Sequence, residues 1–442
     1  MKLGERRDAV STLTRREFLR VTGTGLVVAG VLGGAGCGGG QQGGLAELTL
    51  SCWPDQTGTL QNQINRFNGQ NKGEIRVGYR RLSPEGTKHY DQVRTELQGG
   101  GGDIDVIIGE VTWPTQFAAT GWIVDLSDRF TEDMRAAHLE VPLQTCVYEG
   151  KYYGVPWMTD AGLLYYRKDL LEQSGFSGPP ATSDELKEMA QKVKRDSGTR
   201  DGLVFQGGEY ASGVLVGMEY IWSAGGNAVA PDNPQKVVID SPEAVRGLQI
   251  ERSMITDGIS PIGVADFEET ETHAVFLRGE SVFARNWPYM YGLIGVQGES
   301  TIEPEQVGVS TLPAASEEHR GVSGIGGWDM LINATTEYED AAWSLIEYLD
   351  APEQQRERFV KAALPPTHRS LYDDKELLEK SPFLSTLEKA LQGGRTRPTS
   401  TAGGDIDLLL AQKFNDSLRG NISPEQAVEE CQKGLEEIFE QT

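Results

Sequence analysis

An α/β fold of two lobes is what this sequence predicts, on three observations. Strand-like and helix-like stretches alternate from residue 46 onward, the order that builds a parallel sheet flanked by helices. A second alternation begins near Gly150 with no long linker before it, so the two units are expected to be joined by strands. The 442 residues also exceed what a single compact core organises and point to about two to three domains.

The first unit opens with LAELTLSCW, a strand alternating around Leu48 and Leu50. Gly58 to Gly69 has a helical pattern, EIRVGYRRL reads as a second strand and HYDQVRTELQ as a second helix. DIDVIIGEV, Asp103 to Val111, is a short aliphatic run behind the turn Gly99 to Gly102, as expected of a buried parallel strand. In the second unit, LLYYR is strand-like and KDLLEQSG starts a helix. Thr182, with Glu185 three residues later, forms a capping box ahead of an amphipathic helix. Ser241-Pro242 and Ser423-Pro424 are further helix starts, with serine as cap and proline in the first turn. VGVSTLPA and GWDMLINA are strands, AAWSLIEYLDA is a helix, and the chain beyond Asp350 is mostly helical. That last region is broken at Pro365-Pro366 and by the loop Gly393 to Gly404. Gly324-Ile325-Gly326-Gly327 precedes a strand where a dinucleotide loop would follow one, and is expected to be a turn.

The N-terminus carries paired Arg15 and Arg16, a short apolar run from Leu26 to Leu32, then small residues and Cys37. That run is too short to span a bilayer as a mature helix and reads as part of an export signal. TRREFLR resembles the twin-arginine consensus. Cys37, after Gly34-Ala35-Gly36, is the expected lipid-modified first residue of a bacterial lipoprotein, although Gly34 stands where an aliphatic residue is usual. GGGQQGG then has the composition expected of a flexible tether. The expected organisation is a signal over 1–36, a tether over 37–45, a first lobe from 46–155 and 313–350, and a second from 156–312 and 351–442.

Residues 1–36 hold six basic and three acidic residues, so their removal takes the formal charge from −24 to −27. Nucleic acid and anionic lipid surfaces would be repelled, so neither is an expected partner. Cys52, Cys146 and Cys431 remain in the body, an odd number without CxxC spacing. The histidines at 89, 138, 273, 319 and 368 are scattered, so no local metal-ligand cluster is visible and neither metal nor cofactor is expected. GxSxG, GxxxxGK[ST] and HExxH are absent. Glu110 and Asp160 are the obvious paired carboxylates for an exported glycoside hydrolase, but they suit gripping hydroxyl groups equally well.

FARNWPYMYGL gathers rings beside a proline that would interrupt a strand ladder. Aromatic faces, with carboxylates and arginines able to make charge-assisted hydrogen bonds to adjacent hydroxyls, are what a neutral sugar needs. Such residues stand at predicted strand ends and loops: Glu110 and Trp113, Asp160, Trp287 and Tyr289, Trp328, and Arg397. Loops after strands are where α/β sheets put ligands. Trp122, Trp222 and Trp343 sit in helical or apolar patterns and are expected in the core.

YGVPWMTDAGLLYYRKDLL, RGESVFARNWPYMYGL, GVSTLPA, GIGGWDML, RTRP and NISPEQAVEECQKGLEEI, in this order, resemble the family 1 extracellular solute-binding proteins of ABC transporters, and within them the trehalose/maltose-binding branch. The resemblance spans about residues 46 to 440. It implies a hinged, two-lobed periplasmic-binding-protein fold of type II, each lobe a mostly parallel sheet flanked by helices. It also implies a monomer outside the cell membrane that delivers an α-linked disaccharide to a permease, with no catalysis. Glu110 and Asp160 match the branch's sugar-binding carboxylates, with Met158 replacing an aromatic before the second. Trp287 and Tyr289 match its stacking pair, Gly327 and Trp328 its next platform, Arg397 its late-loop arginine. Arg81, or its neighbour Arg80, matches an arginine on the second strand. The first loop, WPDQTGTL, lacks the branch's glutamate, for which Asp55 or Gln56 would have to substitute. A receptor for another oligosaccharide or for a non-sugar solute stays open.

Overall fold

The computed structural model describes residues 44–84 and 86–441. The expected export signal, Cys37 and nearly all of the tether lie outside them. The strands are β1 (Ala46–Cys52), β2 (Ile75–Arg81), β3 (Val106–Glu110), β4 (Val147–Tyr148), β5 (Lys151–Tyr152), β6 (Val155–Ala161), β7 (Leu163–Arg167), β8 (Asp201–Val204), β9 (Val229–Ala230), β10 (Asn233–Val237), β11 (Ser281–Asn286), β12 (Val307–Ser310) and β13 (Ile325–Ile332). One main sheet has the order β2-β1-β3-β13-β6 and the other β12-β7-β11-β8, with small hairpins β4-β5 and β9-β10 beside them.

Both main sheets are mixed. Strands joined through a helix run parallel, as β1 does to β2 and β3, and β11 to β8. The strands that pass between sheets run antiparallel to their neighbours: β13 and β6 in the first sheet, β7 and β12 in the second. The aliphatic run of β3 has its Val106, Ile107 and Ile108 fully buried, as its composition requires of a strand covered on both faces.

The three cap side chains read from sequence bond as predicted, whereas the expected Thr182–Glu185 capping box does not close on Thr182 N. Thr182 Oγ1 accepts from Glu185 N at 3.2 Å to start the helix Ser183–Ser197, while Glu185 Oε2 accepts from Ala181 N at 2.7 Å, one residue before the cap. Ser241 Oγ accepts from Ala244 N, and Ser423 Oγ from Gln426 N, each at 3.2 Å. Trp222 and Trp343 are buried, and Trp122 packs 5.7 Å from Phe117.

The chain changes sheet at Gly162, between β6 and β7, six residues after the expected boundary at 155/156, because β6 keeps pairing with β13 up to Ala161. The return is complete only at β13: Ala314 still bridges Thr182, and Ser323 Oγ donates to Gly162 O at 2.8 Å. The third passage lies beyond the helix Pro352–Ala362, which stays against the first lobe through Gln63 Nε2 donating to Gln354 O and Arg358 donating to Leu349 O, each at 2.9 Å. The expected turn at 324–327 is instead the start of β13: Ile325, Gly326 and Gly327 pair with Ala161, Asp160 and Thr159. Glycine reads as a turn signal, but here it permits close approach. A Cβ on Gly327, at φ +137°, would lie 2.6 Å from Met158 O.

Candidate functional site

Trp287 follows the last residue of β11, two positions after Arg285, so period-two geometry puts both on one face. The Arg285 guanidinium carbon lies 4.0 Å from the Trp287 ring centroid, a cation–π contact. That guanidinium is held bidentately by Glu219, Nε to Oε2 at 2.8 Å and Nη2 to Oε1 at 2.5 Å, and donates through Nη1 to Gln206 Oε1 at 3.0 Å. Arg285 and Glu219 are both buried, so the pair offsets a desolvation cost that neither could meet alone. Trp287 Nε1 donates to Glu269 Oε1 at 3.0 Å, and Glu269 also accepts from Ser212 Oγ and Tyr210 OH. Pro288 starts the 3₁₀ turn Pro288–Leu293. On that turn the Tyr289 hydroxyl meets His273 Nδ1 at 2.9 Å.

Trp328 is held differently. It sits on β13 after Gly327, at a β-bulge where the pairing with β6 slips between Trp328 and Asp329. Pro156, opposite Asp329, has no N–H to give to the ladder there. The ring centroid of Trp328 is 4.4 Å from Trp53, 5.3 Å from His89 and 5.6 Å from Trp113, and Trp53 lies 5.4 Å from Trp157. Burial pushes His89 down to about 4, so its ring is neutral in this company.

Glu110, at the end of β3, and Arg397, from the loop before the helix Gly403–Arg419, meet at 2.8 Å. Arg397 also bonds Asp407 at 2.8 Å and is 3% exposed. Burial alone would depress its guanidinium, but Asp407 and Glu110 outweigh that and hold it charged. The second oxygen of Glu110 accepts from Thr112 N and Oγ1. Asp160 and Trp287 flank Gly326: a Cβ there would be 3.6 Å from Asp160 Cβ and 3.6 Å from the Trp287 ring. The Asp160 side chain is half-buried overall, yet its Oδ1 is shut from solvent with no hydrogen-bond partner. Burial raises its carboxyl well above the usual range against the pull of Arg285.

Two sets of expected residues are therefore gathered, Glu110 with Arg397 and Asp160 with Trp287, while Trp328 belongs to the ring cluster. Arg81 is exposed at the end of β2, over the Tyr79 ring at 5.3 Å, and Arg80 pairs with Glu96 at 2.8 Å. Among the described residues, no hydrogen bond, ion pair or ring contact joins either of them to the other expected residues. Asp55, three residues before the N-cap Gly58, accepts from Thr57 N and, at 2.6 Å, from Leu60 N in the first turn of the helix Thr59–Gln70. Sequence reasoning missed Arg285, Glu219, Glu269, His89, Trp53 and Asp407. The one available signal was Arg285, two places before Trp287 on a strand. Glu219 comes from a helix 66 positions away and Glu269 from the helix just before β11, with nothing local to mark either.

Bacterial extracellular solute-binding proteins, as a family, match this chain over residues 53–356. A probable ABC transporter-binding protein of Deinococcus radiodurans is 32% identical over 345 residues, 77% of this chain and 80% of that protein. Among solved structures, the maltose-bound MalE3 of T. maritima resembles it with a TM-score of 0.82 at 32% identity, covering 89% of this chain and 100% of that one. An ABC transporter solute-binding protein of Agrobacterium radiobacter K84, in complex with ribitol, resembles it with a TM-score of 0.77 at 25% identity, covering 89% of this chain and 98% of that one.

Proposed function

We propose that this chain, which belongs to the bacterial extracellular solute-binding proteins, captures an α-linked disaccharide of the trehalose/maltose type between its lobes and delivers it to an ABC permease. The observation that carries this reading is the Asp160 oxygen, buried without a partner, with the Trp287 ring also against Gly326. A buried acceptor without a donor is costly, and a sugar hydroxyl would supply that donor while its C–H face lies on the indole. Glu110 and Arg397 would form the other polar contact, with Tyr289 and the Gly327–Trp328 platform shaping the pocket and Arg81 at its edge. The lobes would close around the sugar because it contacts both, which is the differential affinity that shifts such an equilibrium.

The names of the relatives support a sugar or sugar alcohol: maltose for MalE3 and ribitol for the Agrobacterium protein. No covalent chemistry is needed. Anchoring through Cys37 and export by the twin-arginine route belong to the same proposal, and mass spectrometry of the mature N-terminus tests them. A thermal-shift panel of trehalose, maltose, other oligosaccharides and sugar alcohols tests the ligand, since a solute that binds only the folded state raises the melting temperature by mass action. Stabilisation by a disaccharide, weakened at least tenfold in affinity by Asp160→Asn, is the expected result. No response to any disaccharide, or equal affinity in the variant, would overturn the reading.

A further inference from the structure

We infer that His138, Asp350 and His368 form a binding site for a divalent transition metal, with Zn²⁺ the fitting ion, at the third passage between the lobes. The three side chains come from distant parts of the chain, which is why scattered histidines gave no sign of them. His138 follows the helix Glu132–Ala137, Asp350 ends the helix Glu339–Asp350, and His368 lies just before the turn Arg369–Leu371. All three are buried, and one ligand atom from each lies within 4.8 Å of the other two.

The two carboxylate–imidazole distances suit a tetrahedral ion. Asp350 Oδ2 is 3.4 Å from His138 Nε2 and 3.3 Å from His368 Nε2. Donors bound at about 2.0–2.1 Å around a tetrahedral centre stand about 3.3–3.4 Å apart. Two imidazoles and one carboxylate are also an ordinary zinc donor set, leaving a fourth position for a small ligand such as water.

The surrounding hydrogen bonds aim lone pairs at the same point. The Thr367 hydroxyl has two acceptors for its proton, Pro156 O and Gln355 Oε1, each at 3.2 Å. With its proton on either of these, its lone pair accepts from His138 Nδ1, 2.9 Å away, in the Nδ1–H tautomer that we assign. A proton on Nδ1 leaves Nε2 bare, and that buried Nε2 has no hydrogen-bond partner. A bare nitrogen facing a carboxylate oxygen is repulsive unless a proton or a metal cation lies between them, and separations of 3.3 and 3.4 Å are long for an N–H···O bond but match the spacing of two donors on one ion. Gln355, 1% exposed, sets the other two ligands: its Nε2 donates to Asp350 Oδ1 at 3.0 Å, and its Oε1 accepts from the backbone of Thr367 and His368. Outer partners of this kind orient metal ligands elsewhere.

The site would tie the passage to the first lobe. Residues 365–367 already run along β6, where Thr159 N donates to Pro365 O at 3.2 Å. Beyond His368 the chain enters the second lobe's core through Leu371, Tyr372 and Leu377. An ion joining His368 to Asp350 and His138 would hold the start of that passage and limit how the lobes turn.

The test uses the untagged, chelator-treated full-length protein, titrated with Zn²⁺ alone by calorimetry and with Co²⁺ by visible absorption. One Zn²⁺ per chain and intense tetrahedral-type Co²⁺ bands are expected. His138→Gln and His368→Gln should each weaken Zn²⁺ at least tenfold while melting cooperatively, and His319→Ala, at a histidine outside the cluster, should leave binding unchanged. Should a cluster variant fail to fold, the wild-type Co²⁺ spectrum decides by itself. Absence of binding by the wild type, a weak octahedral-type spectrum, or undiminished binding in a folded cluster variant would overturn the site.

Discussion

Trp328 lies among other rings, 4.4 Å from Trp53 and 5.6 Å from Trp113, whereas Trp287 lies on a guanidinium, 4.0 Å from Arg285, with its indole N–H on Glu269. The same side chain is thus positioned by two kinds of force. Ring packing is nearly indifferent to charge and tolerates small shifts, because many weak contacts share the load. The Arg285–Glu219 pair depends on both members, since removing one strands a buried charge. The aromatic region is therefore robust and the charged one exacting, although the two are proposed to serve one ligand.

The largest effect should come from breaking the exacting side. Arg285→Met leaves Glu219 buried without its partner and should cost about 3–5 kcal/mol of stability, read from urea unfolding. The double change with Glu219→Leu should recover most of that stability but not disaccharide affinity, because Trp287 loses the guanidinium beneath it. A single change that costs less than about 1 kcal/mol would erase the contrast between the regions. On the robust side, Trp328→Ala should cost less, about 2–3 kcal/mol, since the ring is half-buried and its neighbours can close in. Equal or greater loss than for Arg285→Met would reverse the comparison.

Gly327→Ala comes next. Its Cβ would meet Met158 O at 2.6 Å, and φ +137° suits glycine, so a cost of about 1–3 kcal/mol is expected. Calorimetry should also show weakened sugar binding, because the platform moves with the strand.

The smallest effect at fixed pH separates the regions by sign. Burial, aided by Glu219, pushes Glu251 up to about 8 from the ordinary 4.5. The folded protein therefore holds a proton that the unfolded chain has released, and this contribution falls away as pH rises from about 4.5 to 8. His89 behaves oppositely: held down to about 4 from 6.5 by burial, it favours the fold when neutral and loses that contribution as pH drops through this range. Urea midpoints from about pH 5 to about pH 8 should drop less for Glu251→Gln than for the wild type, and a His89→Leu variant should be less sensitive at the acid end. Parallel curves for all three proteins would show that neither group is coupled to folding.

Much of the fold was legible because its signals are local. Strand and helix periods, the Thr182, Ser241 and Ser423 caps, and the proline after Trp287 each act within a few residues. The glycines before Trp328 misled for the same reason: locally they read as a turn, and only the neighbouring Met158 backbone shows that they belong to a strand. The candidate site was legible in its residue types and less so in its arrangement. The structure brings Glu110 to Arg397 and sets Asp160 and Trp287 on either side of Gly326, while Arg81 lies at the end of β2 over Tyr79 and Asp55 accepts from the first turn of the helix Thr59–Gln70.

By itself the sequence determined the alternation of elements, the acidic surface, and the rings and carboxylates placed at strand ends, since these depend on composition and short-range spacing. Only the tertiary structure decided which of them meet. Arg397 reaches Glu110 across 287 positions, Arg285 takes Glu219 from a helix 66 positions away, and His138 finds His368. Charge pairs, ring contacts and metal-ligand sets are governed by distance in space, and that distance exists only after the chain has passed three times between its sheets.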